Sequence, residues 1–244
     1  DAGAVRDDAL GVRIDLPRIC GEQVVGALVD HLVADDCEIE DHTDDWQRVM
    51  VAGAEAPALL ESRGLPVPSV ELGTGELDGV RVVRDNRYGV PGFEVSVAPG
   101  ATKGLGLDPG AQVSEELRNV WRIEAGLPEM GPDLDEEVIA LEAGLLFAID
   151  ATKGCYIGQE TIARLDTYKG VKQQLWGIQL RGEVEPGTVI TDGDSKVGLL
   201  TSVVDTDEGT FGLGYIRTKA GGEGMTVKVG DVEGTVVDVP FLRR

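Results

Sequence analysis

Lysine is scarce in this sequence. It supplies seven of the 22 basic residues, which face 44 aspartates and glutamates, for a net charge of -22 and a pI near 4.3. Phosphate contacts need clustered Lys and Arg, and no such cluster is present, which excludes nucleic acid and anionic membrane surfaces as expected partners. Runs of eighteen apolar residues are also missing, so no membrane-spanning helix is expected. The first stretch, "DAGAVRDDAL", has neither the basic start nor the apolar middle of a secretory signal, and a cytoplasmic protein is expected. It opens on Asp rather than Met, which fits a trimmed N-terminal part. Cysteine is sparse too: Cys20, Cys37 and Cys155, with no C-x-x-C pair, point to reduced thiols. With only His31 and His42 beside them, no spacing matches a structural zinc site, and no metal is expected. Cys20, Cys37 and His31 read as packing residues.

The acid excess is spread along the chain rather than gathered in a tail. Such self-repulsion loosens a fold at low salt, whereas at about 1 M salt the screening length falls to roughly 3 Å. Together with the shortage of lysine, this predicts a halophilic source.

Enough apolar material is present for one large core or several small ones: 42% of 244 residues. From 9 to 64 the pattern reads strand ("LGVRIDL"), helix (about 21–34), strand ("CEIEDHT"), strand ("WQRVMVAG") and helix ("AEAPALLESRG"). This order matches a split β-α-β unit. Residues 65–78 carry Pro and Gly and read as a connector, followed by a hairpin of "GVRVVRD" and "GFEVSVA". A helix over 112–124 ends near Gly126 and Pro128. The next stretch, to Gly154, lacks a period and reads as irregular. A helix over 157–168 follows, with Gly170 as its terminator. Beyond 172 the chain becomes short β-rich runs with Gly-Asp turns, the pattern of a small antiparallel barrel. The expected architecture is therefore an α+β region, 1–171, followed by a C-terminal β-barrel, 172–244.

Residues 153–160, "KGCYIGQE", carry the strongest chemical signal. A thiol at a helix N-terminus meets unpaired backbone N–H groups and the positive end of the dipole, and Lys153 adds a cation two residues away. Both influences favour the thiolate, the nucleophilic form. The other reading of the same residues is an inert cysteine ahead of a helix, with Glu160 and Arg164 as an ordinary i,i+4 surface pair.

"KGCYIGQETIAR" resembles the signature segment of the YgfZ-type folate-binding proteins, relatives of the glycine-cleavage T-protein (aminomethyltransferase) family. Upstream, "GFEV" at 92–95, "WRIEAGLP" at 121–128 and "ALEAGLLFAID" at 140–150 follow that family's order, and the resemblance covers most of residues 10–244. It implies subdomains around a central cavity that takes tetrahydrofolate or a one-carbon derivative. It also implies roles for individual residues. Glu94 accepts hydrogen bonds from the pterin, Arg122 donates along the cavity wall, Tyr88 stacks on the folate, and Glu142 and Gln159 shape the pocket. Cys155, with Lys153, supplies thiol chemistry. Members of the family support assembly or maintenance of iron-sulfur enzymes. Aminomethyl transfer from a lipoyl carrier protein, in which Cys155 is incidental, and a non-enzymatic folate-sensing role are the alternatives. The T-protein pattern includes an earlier aspartate that cannot be placed here, and it typically lacks the cysteine.

Overall fold

The computed structural model describes residues 3–7, 11–33, 36–101, 112–150, 152–156, 158–168, 170–206 and 209–240. The chain opens with a hairpin, β1 (Gly3–Asp7) against β2 (Gly11–Asp15), paired antiparallel. A 3-10 turn at Arg18–Cys20 runs directly into α1 (Gly21–Val29), which buries none of its residues. Four strands then form an antiparallel sheet in the order β3-β6-β5-β4, from β3 (Gln47–Ala52), β4 (Thr74–Leu77), β5 (Val80–Arg84) and β6 (Gly92–Val97). Helix α2 (Ala56–Ser62) closes one face, where Leu60 and Ala56 pack with Val80, Val82, Phe93, Val95 and Val97. Strand alternation sends the intervening residues Glu94 and Ser96 to the other face.

The α+β class and the terminal barrel are as expected, while the strand pairing near the start is different in detail. Helix α1 links strands of two separate sheets, because β2 pairs with β1 and β3 pairs with β6. The expected strand at 37–43 has no regular structure. Its acids bond locally instead: Asp41 Oδ1 accepts from the Thr43 N–H and hydroxyl, and His42 sits between Glu40 and Asp45. Local side-chain bonds of this kind compete with a strand ladder. Cys37 and His31 are exposed there rather than packed, whereas Cys20 is buried as expected. The connector 65–78 also contains a strand, β4, which pairs with β5.

Helix α3 (Glu115–Ala125) is bounded by Ser114, whose hydroxyl accepts the Leu117 N–H at 3.2 Å, and by Gly126 in the left-handed region at φ 79°. It packs on the barrel through Ile123, which shares a cluster with Leu175, Leu213, Tyr215 and Val239. Residues 127–150 are irregular, with one 3-10 turn at Leu146–Ala148, and α4 (Gln159–Tyr168) follows. The barrel closes in the order β10-β7-β12-β11-β8-β9. Its strands are β7 (Gln173–Leu180), β8 (Val189–Asp192), β9 (Ser195–Thr206), β10 (Gly209–Arg217), β11 (Thr226–Val229) and β12 (Val232–Val237). Ile178, Ile190, Leu200, Ile216, Val229 and Val236 fill it. Among the described residues, no helix is long and apolar enough to cross a membrane.

Candidate functional site

The polar face of the four-stranded sheet collects charge around Glu94. Register places Met50 and Val83 across from Glu94, and Arg48 and Arg81 across from Ser96. Arg13 and Asp15, both on β2, reach the same face: Arg13 Nη2 lies 3.5 Å from Ser96 Oγ, and Asp15 Oδ1 lies 2.9 Å from Arg48 Nη1. The Glu94 side chain is 16% exposed, with Oε1 at 3.7 Å from Arg48 Nε and Oε2 at 3.8 Å from Arg87 Nη2. These are charge contacts beyond hydrogen-bonding reach, and the carboxylate accepts no hydrogen bond among the described residues. Asp85 holds Arg87 by accepting from its Nε at 2.8 Å and from Nη2. Burial disfavours the Arg87 cation, yet the bond and charge of Asp85, with Glu94 behind it, raise its pKa above the ordinary arginine value.

The loop carrying Arg87 is pinned at both ends. Asn86 Nδ2 donates to Glu71 at 2.6 Å, its Oδ1 accepts the Gly92 N–H, and the Asp85 N–H donates to the Gly92 carbonyl. That fixes Tyr88 beside Trp121 of α3, with ring centroids 6.3 Å apart and planes tilted by 59°. Tyr88 and Glu94 thus flank Arg87, in sequence and across the loop. Arg48, Arg87 and Trp121 went unnoticed in the sequence. Only the pairing of β3 with β6 and the packing of α3 on the loop bring them here.

Arg122 does not join this group. It turns inward from α3, 4% exposed, into the joint with the barrel. Its Nε donates to Asn119 Oδ1 at 2.9 Å and lies 3.1 Å from Glu129 Oε2, Nη1 donates to Asp133 Oδ2 at 2.8 Å, and Nη2 donates to Ser202 Oγ at 3.1 Å. Every guanidinium nitrogen is engaged by the protein. The expected role along a ligand wall is replaced by a structural one, because the last turn of α3 faces β9 and β10 rather than the sheet.

Cys155 is exposed, and the first residue of α4 is Gln159, four positions further on. Gly158 at φ 84° separates the two, so the thiol lies outside the first helical turn and the dipole argument for its activation does not apply. Lys153 is likewise exposed, with Nζ 5.0 Å from the centre of the Tyr156 ring. Asp150 organises the turn before them: Oδ1 accepts from the Thr152 hydroxyl and N–H and from the Lys153 N–H, and these bonds hold its carboxyl below the usual carboxylate range. Gln159 is half-buried. Glu142 is 5% exposed and lines a cleft of about 450 Å3 between residues 137–142, the end of α4 and the barrel. Of the seven candidates Glu142 alone is among the residues that line this cleft, while Tyr88 and Glu94 lie together around Arg87.

For a reduced folate the fit is therefore mixed. The amino group and ring N–H of a pterin present two donors side by side, and Glu94 offers two acceptor oxygens without hydrogen bonds among the described residues. Arg122 has no such capacity to spare.

No protein-family model matches the chain. A chloroplastic protein of Arabidopsis thaliana named as a transferase, At1g60990, is 36% identical over 238 residues, covering 86% of this chain and 52% of that protein. The aminomethyltransferase of Rubrobacter xylanophilus is 30% identical over 229 residues, covering 86% of this chain and 60% of that enzyme. The chain is a relative of the aminomethyltransferases. It spans between half and two thirds of the length of these two relatives. The glycine cleavage system aminomethyltransferase T from Bartonella henselae superposes with a TM-score of 0.75 at 22% identity, over 91% of this chain and 66% of that one, which shows a shared fold. In this aminomethyltransferase relative, the polar sheet face, the "KGCYIGQE" segment and the barrel all lie within one such fold.

Proposed function

We propose that this chain is a YgfZ-type folate-binding protein that takes tetrahydrofolate, or a one-carbon derivative, on the polar sheet face. Glu94 anchors the pterin, Tyr88 and Trp121 offer aromatic surface nearby, and Arg48 and Arg87 flank the carboxylate. The observation that carries this reading is a half-buried carboxylate flanked by two arginines at 3.7 and 3.8 Å, whose hydrogen-bonding capacity no described residue uses. A buried acceptor left in that state is costly unless a ligand or water meets it, and a pterin edge matches it in number and spacing. Cys155 acts as an exposed thiol with Lys153 close by, in support of iron-sulfur enzyme assembly or maintenance in a salt-rich cytoplasm. This part rests on the "KGCYIGQE" segment and on the exposure of both side chains.

Calorimetric titration with tetrahydrofolate tests the anchor. Loss of a charge-assisted pair of hydrogen bonds is worth about 1.5–3 kcal/mol, so Glu94→Gln should weaken binding roughly 10- to 150-fold. An unaltered affinity in the variant, or no binding by the parent chain, refutes the site. For the thiol, Cys155→Ser should bind folate normally but fail to restore iron-sulfur enzyme activity in cells lacking the native protein. Full restoration removes Cys155 from the function.

A second reading has support from the relatives: the Rubrobacter enzyme named aminomethyltransferase matches 86% of this chain. On that reading a lipoyl carrier protein delivers the aminomethyl group to the bound folate, and Cys155 is incidental. Methylenetetrahydrofolate formation from an aminomethylated carrier, undiminished in Cys155→Ser, would favour it over the first.

A further inference from the structure

We infer that the cleft around Glu142 is a second binding site, separate from the sheet face, built for a small zwitterion with a branched apolar body, such as an apolar α-amino acid. Its volume of about 450 Å3 falls in the roughly 300–1,000 Å3 range of small-molecule sites. Three observations define the ligand.

The first is the acid. Glu142 is 5% exposed, and its carboxylate has a single hydrogen bond among the described residues, accepted from Gln173 Nε2 at 3.3 Å. A buried carboxylate needs several donors or a cation to offset its desolvation. Its backbone is held, with the N–H donating to the Ile139 carbonyl at 2.8 Å and the carbonyl accepting from the Leu175 N–H at 2.9 Å, which fixes the point on the cleft wall from which the carboxylate projects. An ammonium group supplies both the donors and the charge. Second, Lys172 and Arg217 line the same cleft, and neither has an ion-pair partner among the described residues. Where acids outnumber bases 44 to 22, two unpaired cations on one cleft fit an anionic group on the ligand. Third, Ile139, Leu165 and Val171 supply apolar wall between these charges, suited to a branched aliphatic side chain.

The test is calorimetry on the full chain with L-leucine, against 4-methylpentanoate, which lacks the ammonium, and 3-methylbutylamine, which lacks the carboxylate. Leucine should bind saturably and each truncated analogue at least tenfold more weakly. Glu142→Gln should weaken leucine at least tenfold. The exposed pair Lys172→Ala and Arg217→Ala should weaken leucine and 4-methylpentanoate but leave 3-methylbutylamine unchanged. No saturable leucine binding overturns the inference, and so does binding of 4-methylpentanoate equal to leucine. Should Glu142→Gln fail to fold by thermal melting, the surface pair decides alone, and unchanged leucine affinity in it overturns the site. Folate titration is read separately, so either site can fail while the other stands.

Discussion

A guanidinium at 4% exposure is tolerated only because carboxylates and hydroxyls surround it. Asp133, whose side chain is fully buried, accepts from Arg122, from the hydroxyls of Thr201 and Ser202 and from the Glu129 N–H, and its carbonyl accepts the Tyr215 hydroxyl at 3.0 Å. Burial, then the charges of Asp133 and Glu142, push the Tyr215 hydroxyl well above the ordinary tyrosine range, so it stays a donor. Removing one member of a buried ion pair leaves the other charge unpaired, at a cost of about 3–5 kcal/mol. Asp133→Ala should therefore lower the melting temperature by roughly 6–20 °C, at about 2–4 °C per kcal/mol for a chain of this size. Arg122→Met combined with Asp133→Leu should cost less than the sum of the single changes. Additive losses in calorimetric melts would mean the two do not act as a pair. At the exposed end of the scale, His42 lies 2.8 Å from both Asp45 and Glu40, and these bonds raise its pKa above the usual 6.5. A raised folded-state pKa gives a contribution present in full below the unfolded value and lost as pH rises through the folded one. An NMR titration should find the His42 midpoint above 6.5 and returning towards it in Glu40→Gln with Asp45→Asn. A midpoint unmoved by that double change would contradict the contact.

Helix α3 shows how an element can be written into a sequence at both ends. Ser114 caps the start, Glu115 and Glu116 sit in the first turn and Gly126 takes the left-handed position that ends it. A Cβ at Gly126 would stand 2.6 Å from Val239 Cβ. Gly126→Ala should thus cost about 2–4 kcal/mol, from left-handed backbone strain and overpacking together. Adding Val239→Ala should recover the packing part, read from denaturant midpoints. Without that recovery, the cost lies in the backbone alone. Such local signals made α3, the β5–β6 hairpin and the barrel strands legible, because capping residues and period-2 alternation act within a few residues. The segment 37–43 misled for the opposite reason: its alternation is real, but its acids bond to their own neighbours. Register carries no local mark at all, so Glu94 could be read as a candidate while its partners Arg48 and Arg87 could not. The same limit applies to Arg122, since its helix gives the spacing but not which neighbour its inner face meets. For Cys155, α4 starts at Gln159 instead of the expected 157, which sets the thiol two residues further from the helix end.

At the scale of the whole molecule, the charge of -22 sets a condition on all of this. Several of the ion pairs lie at the surface, such as Arg118 with Glu115, Arg181 with Glu233 and Arg18 with Asp44. Exposed pairs of this kind contribute about 0–1 kcal/mol each, and with two acids for every base at least half of the carboxylates have no cation of their own in one-to-one pairing. Long-range repulsion among the remainder acts over about 10 Å at 0.1 M salt and about 3 Å at 1 M. Salt weakens both attraction and repulsion, and here the repulsive set is much the larger. The melting temperature should accordingly rise as KCl goes from millimolar to molar, and the rise should shrink when exposed acids such as Glu61 and Glu124 are replaced by Gln. A flat or falling melting curve across that range would mean that the acids are arranged so that their fields cancel, and the salt-adapted reading would be lost with it.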